Sequence, residues 1–389
     1  MIITKHKISI ALLLAMFVLS FYSCRDEYDV FIPEEVKVYI PEYTSIKGFY
    51  MLNEGNMGSN KSTLDYYDYS TGVYNRNIYG YANPTVPKEM GDVGNDLKIY
   101  GSRMYAVINC SNKVEVMDSK TAKRIGQIDI PNCRYIRFQS GYAYVTSYAG
   151  PVEINPNYTQ RGYVAKVDTA TLKVVDSCIV GYQPDELEIV NNKIFVANSG
   201  GYMVPNYENT VSVIDINTFK ETKRIAVAIN LCHLRADRHG NLWVSSRGDY
   251  YNTPSRLYSI DVRTEKLSGE YDISVSNFHL DGDSLYLYCV EWSYVTMSNT
   301  ITYGIVDVAK RKIITRNFIT DGTDNLIKIP YGITVNPITK DIYITDAKNY
   351  VSPGTLYCFG KDGKKKWSVR TGDIPAHFVF LGDDINTEH

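Results

Sequence analysis

From about residue 46 onward the chain alternates short apolar runs with polar turns, and one pattern keeps returning. An apolar residue is followed by Asp, then by a turn containing Thr or Lys, then by a second apolar run. It occurs at Tyr67-Asp68, Met117-Asp118, Val167-Asp168, Ile214-Asp215, Ile260-Asp261 and Val306-Asp307, with a degenerate copy at Phe359-Gly360-Lys361-Asp362. Successive copies lie about 46 to 54 residues apart, a period that belongs to repeat folds. Upstream of each copy is another apolar element: Phe49-Tyr50-Met51, Met104-Tyr105-Ala106-Val107, Tyr142-Ala143-Tyr144-Val145, Ile194-Phe195-Val196, Leu242-Trp243-Val244, Leu285-Tyr286-Leu287 and Ile342-Tyr343-Ile344. Each unit thus holds four short runs rich in Val, Ile, Tyr and Thr. One such sheet cannot bury both of its faces alone, so the pattern predicts an all-β, seven-bladed β-propeller with four-stranded antiparallel blades. The Asp-x-x-Thr-x-Lys turn, clearest at Asp168 to Lys173 and Asp215 to Lys220, suits a hairpin between the two outer strands. Asp caps its own turn amides and Lys sits on the exposed edge.

The unit count also predicts how the ring closes. The first unit begins at Gly48 with what is elsewhere the second strand, and His377-Phe378-Val379-Phe380-Leu381 is left over at the other end. That orphan matches Leu97-Lys98-Ile99 and Leu187-Glu188-Ile189, which open other blades. Residues 376–381 are therefore expected to supply the inner strand of blade one, within a propeller spanning 46–381 and followed by a tail at 382–389.

The N-terminal pattern is different. Lys5 and Lys7 precede an apolar run from Ile8 to Tyr22, shorter than the roughly 20 residues of a spanning helix and right for a signal peptide. The run ends at Ser23-Cys24, with Phe21 three residues before the cysteine, in a loose form of a bacterial lipobox, and Arg25-Asp26-Glu27 follows. Residues 1–23 are expected to be cleaved as a lipoprotein signal peptide, with lipid added at Cys24. A basic residue and two acids after the cysteine resemble the surface-export signal of Bacteroidetes lipoproteins, which implies an outer-membrane anchor facing the cell surface. Residues 24–45 carry no repeat signature and are expected to form a tether, reaching up to roughly 80 Å at about 3.3 Å per residue.

Charge changes the picture little. The formal charge is −2, without the basic excess of a nucleic-acid-binding chain. The one dense basic run, Lys364-Lys365-Lys366, follows Asp362-Gly363 and reads as a solvated hairpin. Composition adds one unusual feature: 34 tyrosines against 12 phenylalanines and 3 tryptophans. Tyrosine offers a stiff apolar face and a polar tip, which suits both sheets and binding surfaces.

In a propeller the loops after each second strand gather on one face around the central channel. Here they contain Asn53 and Glu54; Asn109; Tyr148; Asn198 and Tyr202; Arg247, Asp249, Tyr250 and Tyr251; Glu291, Trp292 and Tyr294; and Tyr350. Tyr331 is expected to join them from the opening of blade seven. Long aromatic loops on a rigid scaffold are where function concentrates, so these residues are the candidate ligand-binding set. Aligning the blade openings gives a second ring of Asp96, Arg134, Glu186, His233, His279, Gly332 and His377. Three of the six histidines would then share one structural position, and they are expected to line the channel and bond to water and loop carbonyls, not to a metal.

No zinc-type Cys spacing is present; Cys110 and Cys133 lie near the same face of the predicted fold, which leaves a disulfide between them open. Catalysis would require a nucleophile or an acid/base pair. The loop-face carboxylates Glu54, Asp92, Asp185, Asp249, Glu291 and Asp346 include no pair that stands out, and neither a Gly-x-Ser-x-Gly nor a His-Glu-x-x-His motif occurs. Asp281-Gly282-Asp283 falls where a hairpin belongs. The chain is expected to bind and not to catalyse, and to carry no cofactor.

The repeats, typified by Lys193-Ile194-Phe195-Val196-Ala197-Asn198 followed by Val211-Ser212-Val213-Ile214-Asp215, resemble those of YncE-like, surface-layer-type propellers over about residues 46 to 381. With the lipobox and the acidic signal, the chain resembles the BtuG-type surface lipoproteins of gut Bacteroidetes in particular. That resemblance implies capture of cobalamin (vitamin B12) or related corrinoids and delivery to a BtuB-like, TonB-dependent outer-membrane transporter. Two alternatives stay open: a carbohydrate-binding or glycan-active propeller, and a scaffold for proteins at the surface.

Overall fold

The middle strands of each repeat are apolar on both sides, as in Lys193–Asn198, where every residue after the first is buried. The outermost strands are the reverse: in Lys173–Ile179 only Cys178 is buried. A strand that is apolar on both faces needs a sheet stacked on each side of it, and stacking around a ring satisfies that for every blade at once.

The computed structural model describes residues 34–40, 44–293 and 297–382. The expected signal peptide, Cys24 and the residues beyond 382 lie outside the described residues. Seven antiparallel sheets form the ring. Their inner strands, blades two to seven in turn, are Gly94–Tyr100, Cys133–Gln139, Pro184–Val190, Leu231–Ala236, Asn277–Asp281 and Pro330–Val335. The inner strand of blade one is Pro375–Gly382, which pairs antiparallel with Ile46–Asn53, Phe378 facing Met51 and Phe380 facing Phe49. The ring is therefore closed by the C-terminal strand. Blade one also gains a fifth, outermost strand, Glu34–Lys37, paired with Val73–Arg76. The sequence pattern assigns that segment to the tether, and the structure pairs it into the blade instead.

Seven hydrophobic clusters lie one at each junction between neighbouring blades. The junction of blades one and seven is the most aromatic. There Phe49, fully buried, meets the rings of Tyr343, Tyr67, Phe378, Phe380 and Tyr69 at centroid distances of 5.0 to 6.2 Å. Edge-on packing of this kind stabilises beyond area burial alone, and it falls where the chain's two ends must hold together.

The repeated Asp performs the capping expected of it. Asp168 Oδ1 accepts the N–H groups of Ala170 and Thr171 at 2.9 and 2.8 Å, and Asp118, Asp215 and Asp261 serve their own turns in the same way. Asp281-Gly282-Asp283 is a hairpin turn, with Asp281 and Ser284 opposite each other.

Two sequence readings are revised. Cys110 and Cys133 are both free; the Cys133 thiol points back to the carbonyls of Lys113 and Ile108, at 3.3 and 3.8 Å, instead of toward Cys110. The ring of blade openings is also out of alignment in two blades. In blade three Ile136 pairs with Val145 as Leu187 pairs with Val196, so the residue level with Glu186 is Tyr135 and Arg134 stands one position nearer the loops. In blade six Phe278 pairs with Leu287, which puts Asn277 level with Glu186. His279 stands one layer further down, level with Lys98, Arg137 and Arg235.

Candidate functional site

At the loop-bearing end the channel widens into a basin of about 1070 Å³. Tyrosine recurs along its wall, at Tyr148, Tyr202, Tyr250, Tyr251, Tyr331 and Tyr350 among others, and Arg134, Arg247, Glu54 and Asn109 are part of the polar lining. Two long loops are tied to each other on one side, where the Asn155 N–H donates to Tyr202 O at 2.9 Å and the Asn206 amide to Pro156 O at 3.1 Å. Tyr250 and Tyr251 stand out from the rim, 62% and 76% exposed. Tyr250 and Tyr350 both have left-handed backbones, with φ of 65° and 63°, a conformation that costs a non-glycine residue about 1 kcal/mol. Neighbouring caps hold them there: Asp249 Oδ1 accepts from Tyr251, Asn252 and Thr253 N–H, and Asn349 Oδ1 from Val351 and Ser352 N–H.

The floor is charged. Asp185, fully buried, accepts the Tyr148 hydroxyl at 2.7 Å and Arg134 Nε at 3.2 Å on one oxygen, and Arg247 Nη1 at 2.8 Å on the other. Burial would raise its pKa, but Arg247, Arg134 and the Tyr148 hydroxyl more than reverse that and hold the carboxyl below its usual range. The Arg134 guanidinium lies 4.8 Å from the centre of the Tyr148 ring, whose own edge meets Tyr202. Across the channel Glu54 accepts the Tyr331 hydroxyl at 2.8 Å and contacts His377 Nε2 at 2.9 Å. Tyr331 in turn meets Tyr350 edge-on at 5.9 Å.

Other candidates lie elsewhere. Asn53 and Asn198 are fully buried and spend their amides bracing Thr63, Thr210 and Ser212. Asn109 lines the basin but donates to Asn132 and the Cys133 carbonyl. Asp249 caps its loop and Glu291 lies on the long second strand of blade six, both outside the basin lining. Tyr294 is outside the described residues, and of Trp292 only the backbone is described.

Below the basin a layer of buried ions fills the channel. Glu186 contacts Arg137 Nη2 at 2.6 Å, His233 Nδ1 at 3.1 Å and Arg235. Asp96 takes Lys98 at 2.6 Å and Arg137 at 3.3 Å. Burial lowers the His233 pKa, yet Cys232 and Glu186 beside it push it up to about 9. His279 goes the other way, down to about 3, through burial and the nearby cations Arg235, Lys98 and Lys340. The aligned histidines therefore do not converge; His233 and His377 each face a glutamate. Among the described residues no group of three His, Cys, Asp or Glu side chains is arranged to hold a metal ion. The far mouth of the channel opens into a second, smaller cavity of about 630 Å³.

Sequence reading missed Tyr207, Tyr288, Asn230 and the cations Lys98, Arg137 and Arg235. The three cations share a signal: each directly follows the buried apolar residue of its inner strand, Leu97, Ile136 or Leu234.

A closed seven-bladed ring with an open, tyrosine-bearing basin over an ion-filled channel defines a β-propeller. The chain belongs to the family described as a domain of unknown function, DUF5074, whose model matches residues 47–381. No curated protein shows significant similarity to it. Among solved structures it is similar to a hypothetical selenium-binding protein from Sulfolobus tokodaii, at 10% identity and a TM-score of 0.64, over 90% of this chain and 96% of that one. It is similar as well to a quinonprotein alcohol dehydrogenase-like protein from Bacteroides thetaiotaomicron, at 14% identity and a TM-score of 0.54, over 87% and 79%. A third is hydrazine synthase from Kuenenia stuttgartiensis, at 15% identity and a TM-score of 0.55, over 69% and 77%. At these identities the likeness shows the propeller fold alone.

Proposed function

We propose that this protein is a lipid-anchored surface protein that captures a corrinoid, cobalamin, in its tyrosine basin and passes it to a TonB-dependent outer-membrane transporter. The observation that carries this reading is the basin itself. Its volume of about 1070 Å³ is at the upper end of small-molecule sites, which run to about 1,000 Å³, so it suits a large ligand. Tyrosine faces around a wide mouth suit a flat macrocycle, and their hydroxyls and the floor's polar groups suit its amide arms. Because Tyr250 and Tyr350 are held in place by their loop caps, little ordering would be needed on binding.

A glycan-cleaving role would need a free carboxylate pair at a working separation. Asp92 and Asp346 instead serve loop amides, as Asp249 does; Asp185 is held by two arginines and Glu54 by Tyr331 and His377. We therefore read the protein as a binder. Anchoring through Cys24 and delivery to a transporter rest on the N-terminal sequence and the family resemblance. Calorimetric titration of the full chain in detergent with cyanocobalamin tests the central claim. Tight one-to-one binding that weakens in a Tyr250→Ala/Tyr251→Ala variant is expected. Absence of heat, with no change in the corrinoid's visible spectrum, would overturn it.

A further inference from the structure

The floor of the basin is short of one negative charge. Arg134 and Arg247 both bind Asp185, but one carboxylate balances only one guanidinium. Arg134 uses Nε and Arg247 uses Nη1 for this contact. Among the described residues neither forms another side-chain hydrogen bond or ion pair, so both terminal nitrogens of Arg134 and two donor nitrogens of Arg247 face no protein acceptor. The two side chains are only 14% and 27% exposed, and both line the basin. A guanidinium in a partly desolvated site with unused donors binds oxyanions well, because its fork matches two oxygens and solvent competes weakly. The Asp185 carboxylate and the Tyr148 ring fix the direction of those forks, so little ordering remains to be done when an anion arrives. Glu54, on the opposite wall, makes the basin electrically lopsided: cationic over blades three and five, anionic over blade one.

We propose that Arg134 and Arg247 form an oxyanion subsite in the basin floor, which takes a phosphodiester or carboxylate group of the ligand and fixes its orientation. This rests on the reading of the loop face as the ligand-binding end and adds a chemical requirement to it. A ligand without an acidic group would leave the subsite empty and bind more weakly.

The test compares two corrinoids, cyanocobalamin, which carries a phosphodiester in its nucleotide arm, and dicyanocobinamide, which lacks that arm. Each is titrated into the full chain in detergent and into Arg247→Met, Arg134→Met and Arg247→Lys variants. Circular dichroism and the melting temperature show which variants are folded. Arg247→Met should weaken cyanocobalamin by about tenfold or more, the effect of losing a charge-assisted bond, and leave dicyanocobinamide nearly unchanged. Arg247→Lys should recover part of the loss, and inorganic phosphate should compete with cyanocobalamin on the native protein only. Equal weakening of both corrinoids, or of neither, in a folded variant overturns the subsite. If neither corrinoid binds at all, the corrinoid reading fails and phosphate and acetate alone decide the subsite. Broadening of the phosphate ³¹P line, or a carboxylate-induced shift in melting temperature, by native protein and not by Arg247→Met then supports it; no effect of either anion overturns it.

Discussion

Replacing Glu186 by Gln keeps the shape of the side chain and removes a charge that Arg137, Arg235 and His233 share; the His233 ring reports what that charge does for the imidazole. In the native channel Glu186 Oε2 lies 3.1 Å from His233 Nδ1 and accepts the Leu234 N–H at 3.1 Å, while Oε1 takes Arg137. Burial works against a charged imidazole, but Cys232 and Glu186 outweigh it and lift the ring from 6.5 to about 9. Of the two neighbours, the carboxylate is the one whose charge this substitution removes. In Glu186→Gln, burial acts without that counter-charge, and His233 should return to its ordinary value or fall below it. A drop of about 2.5 pH units corresponds to about 3 kcal/mol, at about 1.36 kcal/mol per unit. The sign follows from linkage. A raised native pKa gives stability that is fully present below about pH 6.5 and is lost as pH rises through about 9. Native protein should lose about 3 kcal/mol across that window through this residue, and Glu186→Gln should be nearly flat there. Following the His233 ring proton by NMR from about pH 5 to 10, alongside urea unfolding at both ends of the window, measures both quantities. The reasoning would be refuted if His233 stayed near 9 in Glu186→Gln and fell instead in Cys232→Ser.

Three further outcomes follow from the packing. Deleting Pro375–Gly382 exposes the partners of Phe378, Phe380 and Leu381; at about 1.5–3 kcal/mol per buried side chain this rivals the 5–15 kcal/mol that stabilises a typical protein, so the truncated chain should show no cooperative melt. A native-like melting temperature would show that the ring does not depend on this closure. Phe49→Ala removes the hub of the aromatic junction and should cost about 3–5 kcal/mol, read as a lower urea midpoint; a cost under about 1 kcal/mol would mean the junction repacks. Trp243→Phe keeps an aromatic ring in the core but a smaller one, and deletes the indole N–H that donates to Asp237 at 2.9 Å. It should destabilise by about 1–3 kcal/mol, and an unchanged unfolding curve would show that the other donors to Asp237 suffice.

The blade count, the Asp-capped turns and the closing strand were legible because each is a local pattern repeated along the chain. A strand apolar on both faces, such as Lys193–Asn198, also announces its two neighbours. The channel ring was harder, because position there depends on where a bulge inserts an extra residue. Leu187 pairs with Val196 and Pro184 with Asn198, three residues against two, and blades two, three, five and seven begin alike. Blade six pairs without interruption from Asn277 to Asp281, so counting from its strand start misplaced His279. Nothing in the local sequence marks that difference. Arg134 was likewise visible as a residue but not as a partner of Asp185 and Arg247, which lie 51 and 113 positions further along the chain; only the stacking of blades three, four and five around the channel brings them to one carboxylate.

The fifth strand of blade one gives the protein a mechanical fuse. Glu34–Lys37 lies along Val73–Arg76 at the outermost edge of the sheet, while the strand that closes the ring is at the innermost edge of the same blade. A pull arriving from the N-terminal side loads this short outer seam first. Unzipping its residues would pay out about 13 Å of extra leash, at about 3.3 Å per residue, with every blade and the basin left intact. If Cys24 carries the anchor proposed above, the head could travel and recoil without straining the ring.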